Sequence, residues 1–185
     1  MDQRNDNRIR CCTVGASLLK YFWPFLVAMF PAGMVRSCVF SWCGSTIRQV
    51  YKETKKLRLD TMDFIIVCIG TNDLGMARKE NVDVMVKHMR KLFKHILQAK
   101  ENIRIFYIPI PPRNDYKLSE ARRELIHTEL RTFNRRMKRV LYNEFDMTRF
   151  TICDCVFKSL HTYSRRNRWG RKIRCSWYRW TAPHI

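Results

Sequence analysis

At 185 residues the chain has the length of one domain, and its 46% hydrophobic content supplies a core of ordinary size. It contains no internal repeat or low-complexity tract, which excludes repeat architectures. The formal net charge of +20 points to anionic partners such as nucleic acid, a phospholipid surface or an acidic polymer, and carries no information about fold.

Residues 1–8 are polar, and a flexible N-terminus is expected there. Residues 9–14 predict a first strand, Gly15-Ala16-Ser17 a sharp turn, and residues 18–29 a buried helix. The apolar stretch 11–35 has the profile of a signal peptide or anchor. Lys20, Pro24 and Pro31 interrupt it, however, whereas a membrane span needs roughly 20 consecutive apolar residues. The stretch therefore reads as part of the fold. No membrane span is expected, and an intracellular location, cytoplasmic or nuclear, is favoured over secretion or N-terminal anchoring.

A second strand follows at residues 34–40, then a turn at Ser41-Trp42-Cys43-Gly44-Ser45 and a basic helix over 46–56. Phe64-Ile65-Ile66-Val67-Cys68-Ile69 is an unbroken apolar run rich in β-branched residues, the pattern of a strand buried on both faces, and it stops at Gly70-Thr71-Asn72-Asp73. Val82, Met85, Met89, Leu92, Phe93 and Ile96 recur at helical spacing and leave a basic outer face. Residues 103–108 predict a fourth strand, ended by Pro109, Pro111 and Pro112. Ser119 caps a long helix whose core stripe is read through Leu125, Phe133, Met137 and Val140, and residues 150–153 predict a fifth strand. From Cys155 onward there are eight Lys or Arg and no acid, interleaved with Trp169, Trp177, Tyr178 and Trp180.

This alternation predicts a three-layer α/β/α sandwich around a five-stranded parallel sheet, flavodoxin-like, in a single domain over residues 9–175 with a basic and aromatic tail at 176–185. Of the eight cysteines several lie in apolar strand-like runs and none forms a CxxC pair with zinc spacing. Reduced thiols are expected.

In such a sheet the turns after strands one, two and three converge at the carboxyl edge, where ligands gather. Ser17, at a strand-to-helix junction, suits either a helix cap or a nucleophile. Gly44 suits a plain turn or an amide donor, and Asn72 a turn closure or an oxyanion donor. Of the five histidines His88, His95 and His127 fall in helices and His184 at the chain end, so His161, in a loop, is the candidate base. Asp73 reads as a turn or cap residue.

Ser17 in VGASLLKYF, Gly44 in SWCGSTI, Gly70 and Asn72 in VCIGTNDL, and His161 in SLHTYSRRNRWGRKI have the order and spacing of the four blocks of the SGNH (GDSL-type) hydrolases, which the chain resembles over nearly its whole length. IPIPPR at 108–113 and Phe133-Asn134 resemble that family's fourth strand and following helix. The resemblance implies a serine esterase in which Ser17 attacks and His161 accepts the proton. The Ser17 backbone, the Gly44 amide and the Asn72 side chain would hold the oxyanion, with no metal or cofactor. Its substrate would be a small ester or an acylated lipid or carbohydrate.

Two positions depart from the family pattern. Ala16 replaces the first-block Asp, and Lys158 stands where the triad Asp is expected, three residues before His161. Asp154 is the candidate replacement acid, and a Ser-His dyad is the other arrangement. An alternative function keeps the fold without the chemistry: binding of nucleic acid or another anionic surface through Arg165, Arg166, Arg168, Arg171 and Lys172.

Overall fold

The apolar run at residues 64–68 becomes the middle strand of the sheet. In the computed structural model residues 8–15, 34–74, 81–111 and 119–153 are described, all within one compact unit that runs to Asp154. Five strands, β1 (Ile9–Gly15), β2 (Val35–Ser41), β3 (Phe64–Cys68), β4 (Arg104–Tyr107) and β5 (Phe150–Ile152), form one sheet in the order β2-β1-β3-β4-β5. Every pairing is parallel. The expected five-stranded parallel α/β architecture is the observed one, in the flavodoxin-like strand order.

Among the described residues, three helices connect these strands: α1 (Ile47–Thr54), α2 (Val82–Ala99) and α3 (Glu120–Glu144). Each lies on a connection that advances the same way across the sheet, from β2 to β3, β3 to β4 and β4 to β5. Right-handed crossovers therefore put all three on one face, where α1 packs on α2 and α2 on α3. The helix expected at residues 18–29 lies outside the described residues, as does everything after Cys153. Among the described residues, no helix is long and apolar enough to cross a membrane.

Local chemistry explains the element ends. Thr46 caps α1 in a reciprocal capping box with Gln49, whose side chain accepts the Thr46 N–H at 2.9 Å. Asn81 caps α2 by accepting the Asp83 amide at 2.8 Å. At the other end of α2 the Arg149 guanidinium donates to the carbonyls of Leu97 and Lys100 at 2.9 and 2.8 Å, which satisfies orphan acceptors of the last turn. Ser119 does occupy the cap position of α3, but its side chain makes no capping bond.

The core lies between the sheet and this helical layer. Met85, Met89, Leu92, Phe93 and Ile96 of α2 are fully buried, and Phe93 meets Tyr107, Phe145 and Phe150 edge-on. The stripe on α3 needs one correction. Leu125 is 43% exposed, and the buried residues of the first turns are Ile126 and Leu130. Seven residues before Phe133 is Ile126, two full turns, whereas Leu125 is rotated about 100° further round the helix.

Candidate functional site

The strand order reverses between β1 and β3, and the carboxyl ends of strands there form the crevice in which ligands bind in open α/β sheets. The last residue of β1, Gly15, is level with Ser41 of β2 and Cys68 of β3, and its carbonyl accepts the Trp42 amide at 3.1 Å. Two turns therefore flank the exit of β1: residues 42–46 on one side and 70–73 on the other.

Side chains of the second turn tie the two together. Asn72 is half-buried, and its side-chain Nδ2 donates to the Ser45 carbonyl at 3.0 Å. That nitrogen carries two hydrogens, so this bond fixes the amide and leaves its second N–H as a donor. Asp73 is completely buried, and its carboxylate accepts the main-chain N–H of Ile47, the first residue of α1, at 3.1 and 3.2 Å. A negative side chain here meets the positive end of the α1 dipole. The sequence assigns Asp73 to a turn or cap, and the structure shows a cap, on a helix that begins 26 residues earlier.

The turns owe their shapes to two glycines. Gly44 has φ +72°, the left-handed region, on an exposed corner with open space where a Cβ would stand. Gly70 has φ +122°, and a Cβ on it would lie 2.4 Å from Cδ1 of Ile110. Ile110 itself is held by Asn134 of α3, whose Oδ1 accepts the Ile110 N–H at 3.0 Å while its Nδ2 donates to the Ile110 carbonyl at 2.9 Å. Because Pro109 and Pro111 have no N–H, this is the one main-chain donor across three residues, and Asn134 pairs it as a neighbouring strand would.

Of the residues proposed from the sequence, the structure places Gly44 and Asn72 in adjacent turns at one edge of the sheet. Ser17, His161, Asp154, Arg165, Arg166, Arg168, Arg171 and Lys172 lie outside the described residues. The clamp by Asn134 and the Ser45 carbonyl as the partner of Asn72 were not evident from the residues themselves. The signal for the first was the Ile-Pro-Ile-Pro-Pro run; a backbone carbonyl leaves no signal in a sequence. At Cys68, the end of β3, burial pushes the thiol up to about 12, which disfavours the nucleophilic thiolate. Among the described residues, no cluster of His, Cys, Asp and Glu is arranged to hold a metal ion.

No family model and no curated protein matches the sequence. Solved structures do match the fold. A GDSL-like lipase from Bacteroides thetaiotaomicron superposes with a TM-score of 0.59 at 15% identity, covering 82% of this chain and 72% of that one. The acetyl xylan esterase AlAXEase superposes with a TM-score of 0.63 at 12% identity over 89% of this chain and 87% of its own. A carbohydrate esterase family 3 protein from Talaromyces cellulolyticus gives 0.58 at 14% identity, with 82% and 81% covered. Strand order, parallel pairing and these superpositions agree on the α/β fold of the SGNH hydrolases.

Proposed function

We propose that the chain is a serine-dependent ester hydrolase of the SGNH type. The observation that carries this reading is the fixed Asn72 amide beside the Gly44 turn, at the carboxyl end of β1, whose last residue precedes Ser17 by two in the sequence. Amide donors held rigid before reaction are what a developing oxyanion requires, because no reorganisation is then spent at the transition state. Ser17 Oγ attacks the ester carbonyl and His161 accepts its proton. The oxyanion is held by the backbone of Ser17, the amide of Gly44 and Nδ2 of Asn72. Collapse expels the alcohol, protonated by His161, and leaves an acyl-enzyme that water cleaves by the same steps.

With Lys158 at the triad-acid position, His161 is oriented by Asp154 or works with Ser17 as a dyad. A cation there disfavours the imidazolium, so turnover is slow. The substrate class is a small ester, an acetyl or short acyl group on a carbohydrate or lipid.

A fluorophosphonate probe tests the assignment. It should label the folded wild-type protein and fail to label Ser17→Ala, and a folded wild-type protein that stays unlabelled would refute it. Lys158→Asp should raise the esterase rate. An unchanged rate would assign the orientation of His161 to another group.

A further inference from the structure

We infer that the outer face of α2 and α3 is a binding surface for single-stranded nucleic acid. Its residues are distinct from those of the crevice and from the basic residues after Cys155. Helical phase puts Lys87, Lys91 and Lys94 opposite the buried stripe of α2, and Arg131, Arg135 and Arg139 opposite that of α3. All six are exposed. The sequence has no acid between residues 84 and 100 or between 130 and 143. Among the described residues, no carboxylate pairs with these six, while the cations between the helices are already used: Arg90 pairs with Glu144 and Arg136 with Asp83.

Those two ion pairs also fix how the stripes are offset. They set residue 83 level with 136 and 90 level with 144, so α2 and α3 run in the same direction and the arginine stripe leads into the lysine stripe. Counted at 1.5 Å per residue, the combined row extends about 24 Å along the helices, enough to follow several phosphates of an extended strand. In line with the arginines on α3, level with the gap from Lys87 to Lys91, stands Tyr142, which is 56% exposed. A cationic track with an exposed aromatic ring beside it is the arrangement that grips a single strand through its phosphates and one base face. An anionic membrane fits less well. The exposed large apolar side chains of these helices are Val84, Leu125 and Tyr142, which are scattered, where an interfacial helix presents a continuous apolar face.

The test uses the full chain and a fluorescein-labelled oligouridylate of roughly 20 nucleotides, followed by anisotropy. With six phosphates neutralised on a single strand, affinity should fall about 300-fold between about 50 and 200 mM salt. Replacing Lys87, Lys91 and Lys94 together by Gln, or Arg131, Arg135 and Arg139 together by Gln, should each lower the log–log salt slope by about 2. Tyr142→Ala should weaken binding about tenfold and leave the slope unchanged, since stacking releases no counterions. All seven side chains are exposed, so these variants keep the fold. The inference is overturned if both triple variants bind as the wild type does, or if neutralising Arg165, Arg166, Arg168, Arg171 and Lys172 alone removes the binding. It is equally overturned if Tyr142→Ala binds normally, or if polyglutamate or phosphatidylserine vesicles bind as tightly as the oligonucleotide.

Discussion

The carboxylate of Asp73 holds the first amide of α1, that of Ile47, through both oxygens at 3.1 and 3.2 Å in a fully buried setting. This bond welds the turn after β3 to the helix after β2. Asp73→Ala strands the Ile47 donor and should cost about 2 kcal/mol, whereas Asp73→Asn keeps one acceptor and should cost about half of that. Urea midpoints of the two variants at neutral pH check the ranking.

Asn72→Ala removes both the bond to Ser45 and the amide donor. The predicted loss of esterase turnover is about 10²–10³-fold, the usual effect of deleting one oxyanion donor, with a stability loss of only about 1 kcal/mol. A turnover that survives the substitution would show that Asn72 has only the structural role of closing the turn.

Gly70 answers to two constraints at once, a φ of +122° and the place a Cβ would take, which lies only 2.4 Å from Ile110 Cδ1. Gly70→Ala should destabilise by about 3 kcal/mol or more, combining backbone strain with overpacking. Ile110→Val lacks the Cδ1 methyl and alone should cost about 1 kcal/mol. The double variant should be less destabilised than the sum of the singles, because the clash is relieved and the strain is not. Denaturant titration of all three proteins measures the coupling.

Cys12 and Cys38 are neighbours on β1 and β2. A hydrogen bond from the buried Cys12 thiol favours the Cys38 thiolate and outweighs its burial, lowering Cys38 to about 7. Cys11 and Cys68 are pushed up to about 12, chiefly by burial. Iodoacetamide mapped by mass spectrometry should therefore modify Cys38 with a half-maximal rate near pH 7 and leave Cys11 and Cys68 untouched. Cys12→Ala should move the Cys38 profile up toward the ordinary thiol value.

Asp63 bridges the start of β1 and the end of α2: its Oδ2 accepts the Arg10 amide at 2.8 Å and its Oδ1 meets the Lys100 ammonium at 2.7 Å. Burial raises its pKa, but the Arg10 amide and Lys100 together outweigh that and hold the group below its usual range. A depressed folded value means the contribution is complete above the unfolded pKa and is lost as pH falls through the folded one. The Tm gap between wild type and Asp63→Asn should hold constant from pH 7 down to about 4 and close below it.

The sheet and the helical layer were legible because their signals are local and periodic. Five apolar runs with β-branched residues gave five strands, and a buried stripe at three- and four-residue spacing gave α2. On α3 the phase failed by one residue, since Leu125 and Ile126 are equally apolar neighbours and only packing against the sheet chooses between them. Glycines at 44 and 70 announced turns, and both do hold positive φ. What locks those turns was not readable: the partners of Asn72 and Asp73 lie 27 and 26 residues away, and one acceptor is a main-chain carbonyl that any residue would supply. Asn134 shows the same limit, because its partner is the backbone of Ile110.

The strand order has a consequence for the order of synthesis. β1 is made first, yet its two neighbours arrive separately, β2 at Val35 and β3 only at Phe64, which pairs with Cys11 across 53 residues. Until β3 leaves the ribosome, one side of β1 carries unpaired N–H and C=O groups and is open to association with other chains. The turn at Gly70 finds its partners Ser45 and Ile47 already made, whereas Ile110, which packs where a Gly70 Cβ would stand, is held only by Asn134 on the last described helix. Such non-local closure is slow compared with helical packing, so the Ile110 segment after β4 is among the last features of the described sheet to become rigid during biosynthesis.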